Sequence, residues 1–461
     1  MSHNFRPYQQ DQLFLMPPSL DEWVRDDSLA RFLSDVVDAL DDSGKLADFY
    51  ARYRADGWGR AAYHPVMMVK VLLYGYSVGV RSSRKIAAAL ENDVGFRYLA
   101  ANQRPDFRTI SDFRKEHLAE LEALFTESVR LCQEAGLAKL GRVAVDGRKV
   151  KGNAALESNR TREAIQKEVA SILAEAEQLD KEEDARYGAE TRGDELPEEL
   201  RDRKGRLKRL REAQARLDAE AAEARTTQEA KLEARAAEER ATGKKKRGRK
   251  PKPPEAMVKA DSKANTTDPD SRIMKSRKGW VQGYNGQAMV DCDSQVIVAQ
   301  ALVQDENDLR QLGPMLDHCV KQAGQHPREC LADAGYWSEE NAALQTDQTE
   351  LFISTRKDWK RRKALRASGP PRGRIPNALT LTERMERKLC TKRGQEIYKQ
   401  RGSSVEPVFG QMHERDLNEF LLRGAKKAAA EWSIFCATHN LLKLWRSGCH
   451  LIAGRGALQA A

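Results

Sequence analysis

The chain has no pairing pattern among its cysteines, no long uncharged apolar run and no secretory leader at its start, and each shortage removes a class of protein. Its seven cysteines (Cys132, Cys292, Cys319, Cys330, Cys390, Cys436 and Cys449) include no Cys-x-x-Cys pair and no Cys/His cluster at zinc spacing. A disulfide framework and a structural zinc site are therefore excluded, and reduced, mostly buried thiols are expected. No apolar stretch approaches the length needed to span a bilayer, and the N-terminus lacks a basic segment followed by an apolar one. A cytoplasmic protein is the expectation.

What the chain does have is length and positive charge. Its 461 residues suffice for two or three domains, each with its own core. With 79 Lys and Arg against 69 Asp and Glu, the formal net charge is +10, which favours a polyanionic partner. Residues 1–135 read as helical. Leu29, Phe32, Leu33, Val36, Val37 and Leu40 recur at helical spacing, and Pro65 opens a helix that is apolar nearly all round. The short segments from Ser82 to Leu90, Val94 to Leu99 and Pro105 to Lys115 suit a helix-turn-helix on DNA, with a plain helical bundle as the alternative. Their expected phosphate contacts are Arg81, Arg84, Lys85, Arg104, Arg108, Arg114 and Lys115.

From 154 to 242 the sequence is dominated by Ala, Glu, Lys, Arg and Leu, the composition of long exposed helices. Two apolar seams, Ile165 to Leu179 and Leu200 to Ala224, predict an antiparallel coiled-coil hairpin or a simple helical spacer. A basic, Pro-rich linker follows at 243–258. Its Arg247-Gly248-Arg249 could lie in an A·T-rich minor groove, or serve only as a salt-sensitive tether.

Three acids carry the chemistry. Arg142-Val-Ala-Val-Asp146-Gly147 reads as a strand stopped by Asp-Gly, and Cys330-Leu-Ala-Asp333-Ala-Gly335 as a second strand ending in Asp. Strand ends followed by Gly are where open α/β sheets place ligand-binding groups. The third acid, Glu406, lies on a helix whose buried stripe is Val405, Val408, Phe409 and Met412, with Tyr398 and Arg401 upstream and His413 downstream. Two Asp and one Glu make a hard-oxygen set suited to Mg²⁺ or Mn²⁺, with two ions expected. Tyr398, Arg401 and His413 are the expected phosphate contacts beside them. Asp291 and Asp293 read as turn residues, and an amphipathic helix is expected from Asp308 to Ala323, with Leu309 among its inward residues. The tail to Leu444 reads as an amphipathic helix in which His439 and Asn440 are structural.

With these residues the chain resembles the DDE transposases of bacterial insertion sequences, in the group marked by a Tyr, Arg, Glu, Lys signature around the last acid. Asn265-Thr-Thr-Asp268-Pro-Asp270-Ser-Arg272, Gly283-Tyr284-Asn285-Gly-Gln287 and the tail from Trp432 to Lys443 extend the likeness to nearly the whole chain outside the charged middle. His413 stands where the signature has Lys, and Arg401 is one residue further from Glu406 than in the commonest form. The resemblance implies an α/β fold: an RNase H-like catalytic core over 141–153 and 259–446, interrupted by the coiled-coil insertion and preceded by an all-α DNA-binding domain. It implies a nucleoid-associated homodimer that binds terminal inverted repeats, cleaves the DNA and joins it to a target. The alternatives are a two-metal nuclease that cuts without joining, and an inert DNA-binding descendant of a transposase.

Overall fold

The computed structural model describes residues 19–53, 61–187, 198–245, 251–257, 262–276, 279–355, 367, 369–371, 373–376, 378–448, 450–451 and 458–459. Arg247 and Arg249 lie outside the described residues, as does 356–366 of the strongly basic segment from Arg356 to Arg393, whose sequence reads as a DNA-facing loop.

The chain begins with eight helices: α1 (Leu20–Trp23), α2 (Leu29–Asp42), α3 (Ala47–Tyr50), α4 (Pro65–Val78), α5 (Ser83–Asn92), α6 (Val94–Leu99), α7 (Phe107–Glu116) and α8 (Leu118–Glu134). Local chemistry sets their ends. Ser28 and Asp106 cap α2 and α7 by accepting backbone N–H groups, and α4 has Pro65 at its first position and Gly79, with φ +81°, as its left-handed stop. Helix α4 is buried over nearly its whole length, as its unbroken apolar character predicts, and packs against α2.

The sheet is mixed. Strands β1 (Arg142–Lys151), β4 (Arg272–Ser276), β5 (Gly279–Asp291), β6 (Ile297–Val303), β7 (Glu329–Ala332) and β8 (Glu350–Ile353) belong to it, while β2 (Asn159–Thr161) and β3 (Lys263–Asn265) form a separate pair. Its order runs β5-β1-β7-β8, with β4 and β6 both pairing with β5. The β5–β6 hairpin turns where expected: Asp291 accepts the N–H groups of Asp293 and Ser294. Pairing is antiparallel among β1, β4, β5 and β6 and parallel among β1, β7 and β8.

Between β2 and β3 the chain departs into α9 (Arg162–Tyr187) and α10 (Glu198–Thr242). Arg162 pairs with Asp218 and Arg206 with Glu168, so the helices run antiparallel. Ile165, Leu210, Ala213 and Leu217 form a small core with Ala264 of β3. Arg216 fastens α10 to the sheet by donating to the Ser271 carbonyl, and Glu220 pairs with Arg272.

After β6 come α11 (Leu312–Ala323), α12 (Glu339–Ala343), α13 (Leu381–Cys390), α14 (Lys392–Glu414) and α15 (Ala425–Arg446). Three expectations change here. Helix α11 starts four residues later than expected, leaving Asp308 in the preceding loop and Leu309 exposed. Part of the segment read as a basic loop is helix α13, begun by a capping box of Thr380 and Glu383. Helix α15 is not amphipathic: it is buried along most of its length because it packs against β6 as well as α4 and α8. Within it, Asn440 exchanges hydrogen bonds with the Ile297 backbone, and His439 bonds the Gln295 carbonyl. Burial pushes the His439 imidazole down to about 3, so it is a neutral structural group, as expected.

Candidate active site

Strand β1 does not stop at Asp146-Gly147 but continues to Lys151 along β5. What ends at Asp146 is the parallel pairing with β7, whose last matched residues are Val145 and Ala332. Asp146, within β1, and Asp333, just after β7, are therefore each the next residue beyond the last parallel pair, which brings acids 187 positions apart side by side. Gly147 is needed for a different reason from turn-making. A Cβ there would collide with Gln287 Nε2 and Asp308 Oδ1 packed beneath the strand.

Helix α14 covers one face of this strand pair. Thr391 caps it, and Ile397, Val405, Val408, Phe409 and Met412 are buried, so the apolar stripe read from the sequence holds the helix against the sheet. Arg148, on the same face of β1 as Asp146, donates to the Phe409 carbonyl at 2.6 Å. Tyr398 donates its hydroxyl to the Ala332 carbonyl at 3.2 Å, one residue before Asp333. The Arg401 guanidinium lies among the acids: Nη2 is 2.8 Å from Asp146 Oδ2 and 3.9 Å from Asp333 Oδ2, and Nη1 is 3.9 Å from Glu406 Oε1. The three acids and Arg401 are thus gathered at one place. Arg401 points into the acids.

Electrostatics separate the acids. Burial pushes the Asp146 carboxyl up to about 6; Arg401 opposes the rise and the Asp333 charge adds to it. Asp333 and Glu406 keep 42% and 58% of their side-chain surface, leaving their oxygens open to an incoming group. Among the described residues, no three His, Cys, Asp or Glu side chains already form a metal-binding group. The donor set nevertheless fits divalent ions, because hard carboxylate oxygens already surround a cation, the Arg401 guanidinium.

Other expected site residues are dispersed. His413 is exposed on α14, two turns beyond Glu406. Arg84, Lys85 and Arg108 are exposed on α5 and α7, and both arginines lie over the Phe107 ring, at 5.0 and 5.7 Å from its centroid. Arg81 and Arg114 are not surface cations. Arg81 is 2% exposed and pairs with Glu431 at 2.9 Å and Asp416 at 3.1 Å; Arg114 donates to the Arg81 carbonyl and to Ser83 Oγ. Neither can meet a phosphate, because each is consumed in fixing α4, α5 and α7 to one another and to α15.

Sequence reading missed Asp308. It lies on the other face of β1, where Oδ1 accepts from Asn285 Nδ2 at 2.7 Å, Gln287 Nε2 at 2.7 Å and Lys149 Nζ at 3.1 Å. The available signal was Asn285 and Gln287, two amides at alternate positions and so on one face of a strand, since buried amides need a partner.

Two family models match the chain: a transposase domain of the DUF772 type over residues 18–116, and a transposase DDE domain over residues 372–445. The first spans α1 to α7 and the second takes in Tyr398, Arg401 and Glu406. No curated protein and no solved structure matches the chain. These two matches, over the first helices and the helix bearing Glu406, support a DDE transposase of an insertion sequence.

Proposed function

We propose that this transposase binds the terminal inverted repeats of its element, cleaves the DNA beside them and transfers the freed strand to a target, with Asp146, Asp333 and Glu406 as its catalytic carboxylates. The observation that carries the reading is the meeting of these three acids around one guanidinium, contributed by two neighbouring strands and a helix far apart in sequence. A surface ion pair needs no such convergence.

In this reading 141–153 and 259–446 are an RNase H-like catalytic domain. Support comes from antiparallel β1, β5 and β6 followed in the chain by β7 and β8, which run parallel to β1, with Asp146 and Asp333 where the pairing of the central strands β1 and β7 ends. Residues 1–135 are a DNA-binding domain whose basic, aromatic face is Arg84, Lys85, Phe107 and Arg108. Residues 154–242 are a coiled-coil insertion, and 243–258 a basic linker that includes Arg247 and Arg249. The enzyme acts as a homodimer on DNA.

Asp146, Asp333 and Glu406 would hold two Mg²⁺ or Mn²⁺ ions. When bound, such ions polarise the attacking hydroxyl and stabilise the oxygen that leaves in the in-line displacement at phosphorus. The chain's own residues do the rest. Tyr398 steadies the Asp333 loop through its bond to Ala332, and half-buried Arg148 ties β1 to α14. Arg401 balances the acids until a phosphate arrives, which it can then grip by two N–H groups, with His413 further along the same helix.

The test is strand transfer with pre-cleaved DNA carrying the sequences that flank the gene, a supercoiled plasmid target and Mg²⁺. Joined products support the reading. Shortened DNA without joining would make the chain a nuclease, and DNA binding without either product would make it an inert binder.

A further inference from the structure

We propose that Asp308 is a positioning residue of this site, holding Asp146 and Asp333 in register from the face of the sheet opposite Arg401; the inference rests on the transposase reading above. Side chains alternate along a strand, so Gly147 and Lys149 face away from α14 while Asp146 and Arg148 face it. On that far face Lys149 stands opposite Asn285 and Gly147 opposite Gln287. Asp308 Oδ1 gathers Lys149, Asn285 and Gln287 on one oxygen. Both amides are fully buried, and among the described residues Asn285 Oδ1 has no hydrogen-bond partner.

The network reaches the second acid as well. Gln287 Oε1 accepts the hydroxyl of fully buried Tyr336, whose own N–H donates to the Asp333 carbonyl at 3.2 Å. Gly335 closes the loop: its N–H donates to Asp333 Oδ1 at 2.7 Å, and a Cβ on it would lie 2.8 Å from that oxygen and 3.6 Å from Asp308 Oδ2. One carboxylate therefore anchors the strand bearing Asp146 through Lys149, and the loop bearing Asp333 through Gln287 and Tyr336. Where Arg401 can leave when cations enter, Asp308 is fixed by three donors and stays.

Outer partners that orient a metal's ligands typically change affinity by about 10- to 100-fold when removed. The experiment is Mn²⁺ binding by the full-length protein, read by electron paramagnetic resonance without DNA. The expected result is an affinity weakened about 10-fold or more in Asp308→Asn, and about 3-fold or more in Tyr336→Phe, which removes only the bond to Gln287. Asp317→Asn, the same charge change at an exposed position on α11, should bind like wild type. Circular dichroism establishes that each variant is folded; if Asp308→Asn is not, Tyr336→Phe decides. Affinities within about 2-fold of wild type in the folded variants would overturn the positioning role alone. Absence of Mn²⁺ binding in the wild type would overturn the metal-site reading and this inference with it.

Discussion

The Arg401 guanidinium stands 2.8 Å from the Asp146 carboxylate and faces Asp333 and Glu406 at 3.9 Å, so the site carries its own counter-cation. Replacing it with Gln leaves three carboxylates to repel one another. In Arg401→Gln, Mg²⁺ should raise the melting temperature by at least about 2 °C more than it does in wild type. Equal shifts in a thermal scan would mean that the guanidinium and the ions do not share a place.

Asp146 gives the site a pH signature. Its folded-state value, pushed up by burial to about 6 from the ordinary 3.8 of an aspartate, means that the folded chain holds this proton more tightly than the unfolded chain. The associated stabilisation is complete below the unfolded value and is lost as pH rises through the folded one. Asparagine at this position has no proton to lose. The stability of Asp146→Asn relative to wild type should therefore rise between about pH 4 and pH 7, by up to about 3 kcal/mol. Urea unfolding across that range measures it, and a flat difference would place the titration elsewhere.

Two kinds of arginine in the N-terminal helices should separate cleanly. Alanine at Arg84, Lys85 or Arg108 should weaken DNA binding and reduce the steepness of its salt dependence by about one unit per lost phosphate contact, leaving stability unchanged. Arg81→Met should act the other way. It strands fully buried Glu431, whose carboxyl burial already pushes up, and should cost about 3–5 kcal/mol of stability. Filter binding at several salt concentrations, beside denaturant melts, distinguishes the two classes.

Gly147 offers a test of packing. Because its missing side chain makes room for Gln287 and Asp308, Gly147→Ala must displace one of them, at about 1–3 kcal/mol. A variant as stable as wild type in urea would mean that the strand tolerates the extra methyl.

Much of this was legible beforehand. The stripe Val405, Val408, Phe409 and Met412, the apolar α4 and the β5–β6 hairpin follow from periodicity and turn chemistry alone. The three acids were found because each sits beside a glycine or on a polar helix edge. Their convergence was not legible, since it depends on the parallel register of β1 and β7. Arg81 and Arg114 were misread because a buried cation has the same letter as an exposed one, and its partner Glu431 lies some 350 positions away. Helix α15 looked amphipathic for a similar reason: Glu431, Ser433, Thr438, His439 and Asn440 are polar yet buried. Asp308 escaped notice because it was placed at the start of a helix that begins later.

The central claim is that Asp146, Asp333 and Glu406 act together on DNA. Its most direct test is Mg²⁺-dependent nicking, by the full-length protein, of a duplex spanning the junction between the element's end and its flank. Asp146→Asn, Asp333→Asn and Glu406→Gln are compared with wild type at matched DNA occupancy. The account predicts nicking by wild type, and a loss of at least about 10³-fold in each variant with DNA binding intact. Undiminished nicking by any one of the three would contradict it.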